Sequence, residues 1–135
     1  RGGQIVFDKI AIKPGKPTWF GLVGDMPVIG LPGNPVSAFV TARLVLRHAL
    51  GRRQGRSQTA MPSRHHTLAT ALPVNGNRET FLRASLIPAT GDVAPVTRQD
   101  SGVLSALVEA DLLIRRIAGA PAAEAGDRVE TVALD

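Results

Sequence analysis

The chain has no cysteine and no tyrosine, and it carries one tryptophan and four phenylalanines among 135 residues. Without thiols there are no disulfides and no thiolate nucleophile, which fits a reducing compartment such as the cytoplasm. The shortage of aromatic side chains, 4% of the total, removes the stacking platforms on which single-stranded nucleic acids are held. The 16 Lys+Arg against 11 Asp+Glu, a net charge of +5, therefore do not amount to a nucleic-acid interface. Part of that excess is the run 47–56, which reads as a solvated linker because Gly51, Gly55 and Ser57 accompany its arginines. No apolar run approaches the ~20 residues of a membrane span. The opening Arg1-Gly2-Gly3 resembles neither a signal peptide nor a natural start, so the chain is expected to be a fragment of a longer protein.

What is present divides near residue 57. Residues 5–12 alternate as a strand, the prolines and glycine of 13–17 break it, and residues 18–23 form a second strand paired with the first. Residues 26–31 are a short apolar run of the kind found in a strand covered on both faces. Asn34 is a good helix cap and Pro35 suits a first helical position, so a helix is expected over 35–50, with Gly51 as its C-cap. After residue 57 short alternating runs separated by Asn, Gly and Pro indicate a small all-β domain. Residues 68–74 and 80–87 flank Asn75-Gly76, a strong hairpin signal. Residues 102–110 have helical spacing with Ser101 as a cap, and 112–117 and 128–134 close the chain as strands.

The end of the strand 26–31 and the start of the following helix form a site suited to an anion, since a helix N-terminus offers unpaired N–H groups and the positive end of the helix dipole. Gly30 and Gly33 allow close approach of the backbone, and the segment matches neither a P-loop nor a dinucleotide fingerprint. Lys9 and Lys13, four apart in the expected strand, would share a side, and Lys16 follows them. The adjacent His65 and His66 fall on opposite faces of a strand and do not make a metal pair.

Four segments occur in an order that resembles the molybdopterin molybdotransferases, the MoeA family, related to the C-terminal part of gephyrin: Ala-Ile-Lys-Pro-Gly-Lys-Pro (11–17), Gly-Leu-Pro-Gly-Asn-Pro-Val-Ser (30–37), Asn-Arg-Glu-Thr-Phe-Leu-Arg-Ala (77–84) and Gln-Asp-Ser-Gly-Val-Leu-Ser-Ala-Leu (99–107). The resemblance implies an α/β plus all-β chain. Residues 1–57 would be the C-terminal half of a molybdopterin-binding, MogA-like α/β domain, and residues 58–135 a small β-barrel-like domain. It implies insertion of molybdate into adenylylated molybdopterin with release of AMP and with Mg²⁺ as cofactor. The alternatives are a non-catalytic dimerising or partner-binding scaffold and a tungstate-inserting paralogue.

By motif, Lys9 and Lys13 take the catalytic positions. Lys16, Gly30, Pro32, Gly33, Asn34, Pro35, Ser37, Arg78, Arg83 and Ser101 take substrate-binding positions, the last three facing one cleft. Ammonium, guanidinium, hydroxyl and backbone N–H groups are suitable partners for oxyanions. The family's metal-handling acids precede Arg1, so no metal ligand is assigned here, and Asp100 stands where the family usually has glycine. A homodimer, and the molybdopterin adenylyltransferase as a partner, complete what the resemblance implies. The fragment alone is expected to be inactive.

Overall fold

A computed structural model describes residues 2–58, 61–97, 99 and 108–134. β1 (Gly3–Phe7), β3 (Trp19–Val23) and β4 (Met26–Gly30) form a three-stranded antiparallel sheet in the order β1-β3-β4. The expected strand 5–12 is split. β1 ends at Phe7, and Ile12–Lys13, as β2, pair in parallel with Glu79 and Thr80 of the strand Glu79–Leu86 (β6) in the other sheet. Lys9 falls in the irregular stretch between, so strand alternation does not bring it to the side of Lys13. β4 is a strand as expected but is not covered on both faces: Met26 and Pro27 are exposed and the rest is half-buried.

Asn34 caps the helix as its sequence position requires, its Oδ1 accepting the amides of Val36 and Ser37 at 3.1 and 3.3 Å, with Pro35 as the first helical residue. The helix runs as α1 (Pro35–Thr41), a π-helical turn (Ala42–Leu46) and α2 (Arg47–Arg53). It thus passes through Gly51, which is buried, and much of the supposed linker is helical. Its end is marked instead by Gly55, with φ +75° and its amide bonded to the Arg52 carbonyl.

The larger sheet follows the order β2-β6-β8-β9-β5, with β5 (Ser63–Thr67), β6 (Glu79–Leu86), β8 (Leu112–Arg116) and β9 (Arg128–Ala133), and β7 (Val93–Pro95) pairs with β6. A single parallel bridge, Leu68 to Val93, links the end of β5 to β7. Among the described residues the sheet curls without closing into a barrel. No hairpin crosses Asn75-Gly76: Leu72 bridges Ala123 instead, and the Asn75 side-chain amide lies 2.7–3.1 Å from the carbonyls of Arg78, Arg116 and Ile117. Most of the helix expected over 102–110, and Ser101, lie outside the described residues.

Strand alternation gives this sheet two dry faces. On one, Leu112 and Ile114 of β8 pack with Leu68, Leu72, Ala84, Val93 and Val129. On the other, Leu113 packs with Phe81, Val132 and Val40 of α1, flanked by Ile12 and Leu44. The helix therefore covers the second face. The loop at Gly15 is seated on it too, since a side chain at that residue (φ +118°) would meet Thr41 Oγ1 at 2.5 Å.

Candidate functional site

A cleft of about 560 Å³ opens on the first face of the larger sheet, bounded by the Ala71–Arg78 segment, the strand residues Thr80 and Leu82, and Pro95, Val96, Thr97 and Gln99. Among the described residues three cations line it, Lys13 from β2, Arg78 just before β6 and Arg116 at the end of β8, and no Asp or Glu does. Arg78 Nη1 donates to the Ile12 carbonyl at 3.4 Å, which ties the β2 strand to the cleft wall and holds Lys13 nearby. Arg116 is 6% exposed, because alternation places it on the same face as Leu112 and Ile114. Its Nη2 donates to the carbonyls of Pro73, at 3.3 Å, and Pro121, while Nη1 is buried with no hydrogen-bond partner among the described residues.

Gln99 closes one side. Its Oε1 accepts the Arg83 amide at 3.1 Å and its Nε2 donates to the Arg83 and Val96 carbonyls at 2.8 and 2.9 Å, so the side chain acts as a short extension of the sheet. Arg83 itself is buried at 3% exposed and does not line the cleft. As the neighbour of Leu82 it is turned to the face of Phe81 and Leu113. This cleft therefore does not bring Arg78 and Arg83 together. Ser101, the third of that group, is outside the described residues.

The cleft and the 30–37 turn are separate places. None of residues 30–37 lines the cleft, and neither do Lys9 or Lys16, both exposed. Gly30 sits under its cross-strand partner Trp19: a Cβ there would lie 1.8 Å from the indole Nε1, so this glycine makes room for a ring. Pro32 and Ser37 are buried, and Gly33 and Pro35 are exposed. At the helix start Pro35 has no N–H, Asn34 Oδ1 accepts the next two amides, and the Ala38 amide bonds the Asn34 carbonyl. The donors that an anion would use in the first turn are engaged internally. The lysine loop packs at Thr41, about 10 Å along the helix from Asn34 at 1.5 Å per residue.

Sequence reasoning singled out Lys13 and Arg78 and missed Arg116, Asn75 and Gln99. A usable signal was present for Arg116: in Leu112-Leu113-Ile114-Arg115-Arg116 it continues the inward position of Leu112 and Ile114. Its neighbour Arg115, on the opposite face, is compensated. Arg115 Nε meets Glu79 Oε1 at 2.5 Å and Nη1 meets Glu130 Oε1 at 3.2 Å. The Glu79 hydrogen bond raises the Arg115 pKa above its usual value, burial opposes this, and Glu130 adds to the rise.

Among the described residues no group of three His, Cys, Asp or Glu side chains could hold a metal ion. The residues described do not fit Mg²⁺. No helix among them is long and apolar enough to cross a membrane.

Fold and cleft together define a curled, mostly antiparallel β-sheet domain backed by a helix, with a cleft on one face that Lys13, Arg78 and Arg116 line. The chain belongs to the MoeA family: the model of the MoeA C-terminal region (domain IV) matches residues 66–134. It is 46% identical over 68 residues to a molybdopterin molybdenumtransferase of Haemophilus influenzae, covering 50% of this chain and 17% of that one. It is 37% identical over 126 residues to the molybdenum cofactor synthesis protein cinnamon of Drosophila melanogaster (88% and 21% covered). A molybdopterin molybdenumtransferase of Synechococcus elongatus is 35% identical over 137 aligned positions (98% and 32% covered). A crystal structure of a molybdopterin biosynthesis MoeA protein from Pyrococcus horikoshii superposes with a TM-score of 0.80 at 28% identity, covering 98% of this chain and 32% of that one. The chain thus spans 17% to 32% of the length of these relatives.

Proposed function

We propose that this chain is the C-terminal part of a molybdopterin molybdotransferase, in which molybdate is inserted into adenylylated molybdopterin and AMP is released. The observation that carries this reading is the convergence of Lys13, Arg78 and Arg116 on one cleft. Molybdate and the pterin phosphate are both oxyanions, and ammonium and guanidinium groups in a partly dry site bind them by charge-assisted hydrogen bonds. Arg78 is oriented by the Ile12 carbonyl and Lys13 by strand pairing, so both cations are held before an anion arrives. In this reading Lys13 is the catalytic lysine. Lys9, Lys16, the 30–37 turn, Arg83 and Ser101 contribute to substrate binding through parts of the site that the intact protein completes.

The same reading makes residues 1–57 the second half of a MogA-like α/β domain and 58–135 a separate β domain, with β2 as the strap between them. It assigns Mg²⁺ to acidic residues elsewhere in the intact protein. It also assigns a homodimer, contact with the molybdopterin adenylyltransferase, and the cytoplasm as location. The test is a molybdate-dependent cofactor synthesis assay on the intact protein carrying Lys13→Ala. Loss of one charged hydrogen bond to the substrate is expected to lower turnover about tenfold or more, and unchanged turnover would remove Lys13 from the site.

A further inference from the structure

Arg116 is a buried cation whose charge no carboxylate meets among the described residues. It differs in this from Arg115, which has Glu79 and Glu130. The two acids that share a neighbouring groove with Arg116 are engaged elsewhere: Asp127 accepts the Glu124 amide at 2.8 Å, and Glu130 pairs with Arg115. Two carbonyls take Nη2, and Nη1 is a buried donor without a partner among the described residues, in a side chain that lines the cleft. Leaving a guanidinium N–H buried and unpaired is costly. Its field, however, reaches the cleft through low-dielectric surroundings, where it is screened far less than a surface charge.

We infer that Arg116 is an anion-binding determinant of this cleft. Its fixed charge in the cleft lining, with its grip on the Pro73 carbonyl, adds to Lys13 and Arg78 to hold an oxyanion of the phosphate class. The inference rests on the cleft being the oxyanion site, and it adds a residue that neither the motifs nor the lysine cluster singled out.

The test uses the full 135-residue chain with inorganic phosphate and, separately, molybdate as probes, reading affinity by titration calorimetry and the anion-induced rise in melting temperature. Arg116→Met, similar in length and uncharged, is expected to weaken binding about tenfold or more, the equivalent of one charge-assisted interaction. Arg116→Lys, which keeps the charge, should recover part of that loss and keeps the test open if the Met variant does not fold. Arg53→Gln removes one exposed helix charge and is expected to leave affinity unchanged, which separates a local effect from net charge. If Arg78→Ala weakens binding while both Arg116 variants bind as the parent does, the role of Arg116 is overturned and the cleft reading stands. If the parent chain binds neither probe, both fall.

Discussion

Two consecutive arginines at the end of β8 face opposite sides of one sheet and meet opposite fates. Arg115 lies on the helix-covered face, partly exposed, and two glutamates neutralise it. Arg116 lies on the cleft face, nearly fully buried, and only carbonyls meet it. The residue type is the same, so the difference comes from what the neighbouring strands place opposite. β6 and β9 put Glu79 and Glu130 on the Arg115 side, whereas on the other side β6 offers Thr80 as the partner of Arg116. One arginine fastens strands together. The other stores positive charge beside a cleft.

The comparison supposes that both faces are dry, and the largest expected effects test that. Leu113→Ala on the helix side and Ile114→Ala on the cleft side, both fully buried, should each cost about 2–5 kcal/mol in urea denaturation. Ile5→Ala in the smaller sheet, 57% exposed, should cost far less. A small loss at Ile114 would mean that the cleft face is wet, and the argument from a low-dielectric Arg116 would go with it.

A smaller effect should appear at Arg115→Met. The pair side chains are between a quarter and two-fifths exposed, so solvent screening holds the loss under about 1 kcal/mol, and added salt should shrink it further. Phosphate affinity should not change in this variant, in contrast to Arg116→Met. The smallest effect concerns pH. Because the Arg115 pKa is raised in the folded state, its contribution to stability is complete below the unfolded value and is lost only as pH rises through the folded one, in strongly alkaline solution. Between about pH 6 and 9, parent and Arg115→Met should therefore differ by a constant amount. A difference that changes across that window would show that groups other than the guanidinium govern the pair.

Much of the fold was legible where a signal is local. β3, β4, β8 and β9 follow from short alternating or apolar runs, and the start of α1 follows from Asn34-Pro35, because capping and a fixed φ act within three residues. The misreadings share one cause. Asn75-Gly76 looks like a hairpin turn in the sequence, but the partner that Leu72 takes is Ala123, some fifty residues away, and no local rule selects it. β5, with its polar Ser63–Thr67 sequence, owes its existence to pairing with β9. Gly51 looked like a helix end, yet the helix continues through it, and the turn chemistry falls at Gly55 instead. Of the residues that line the cleft, Lys13 and Arg78 were singled out from the sequence, whereas Arg83 lies on the other face and Arg116 went unseen.

By itself the sequence determined the element types, the helix cap, the excess of positive charge and, through four ordered motifs, the family. Those depend on residues close together in the chain. Only the tertiary structure decided which cations share a cleft and that Arg115 and Arg116 differ. Each of these is set by long-range strand register, and a shift of one residue would exchange the two faces and every charge upon them.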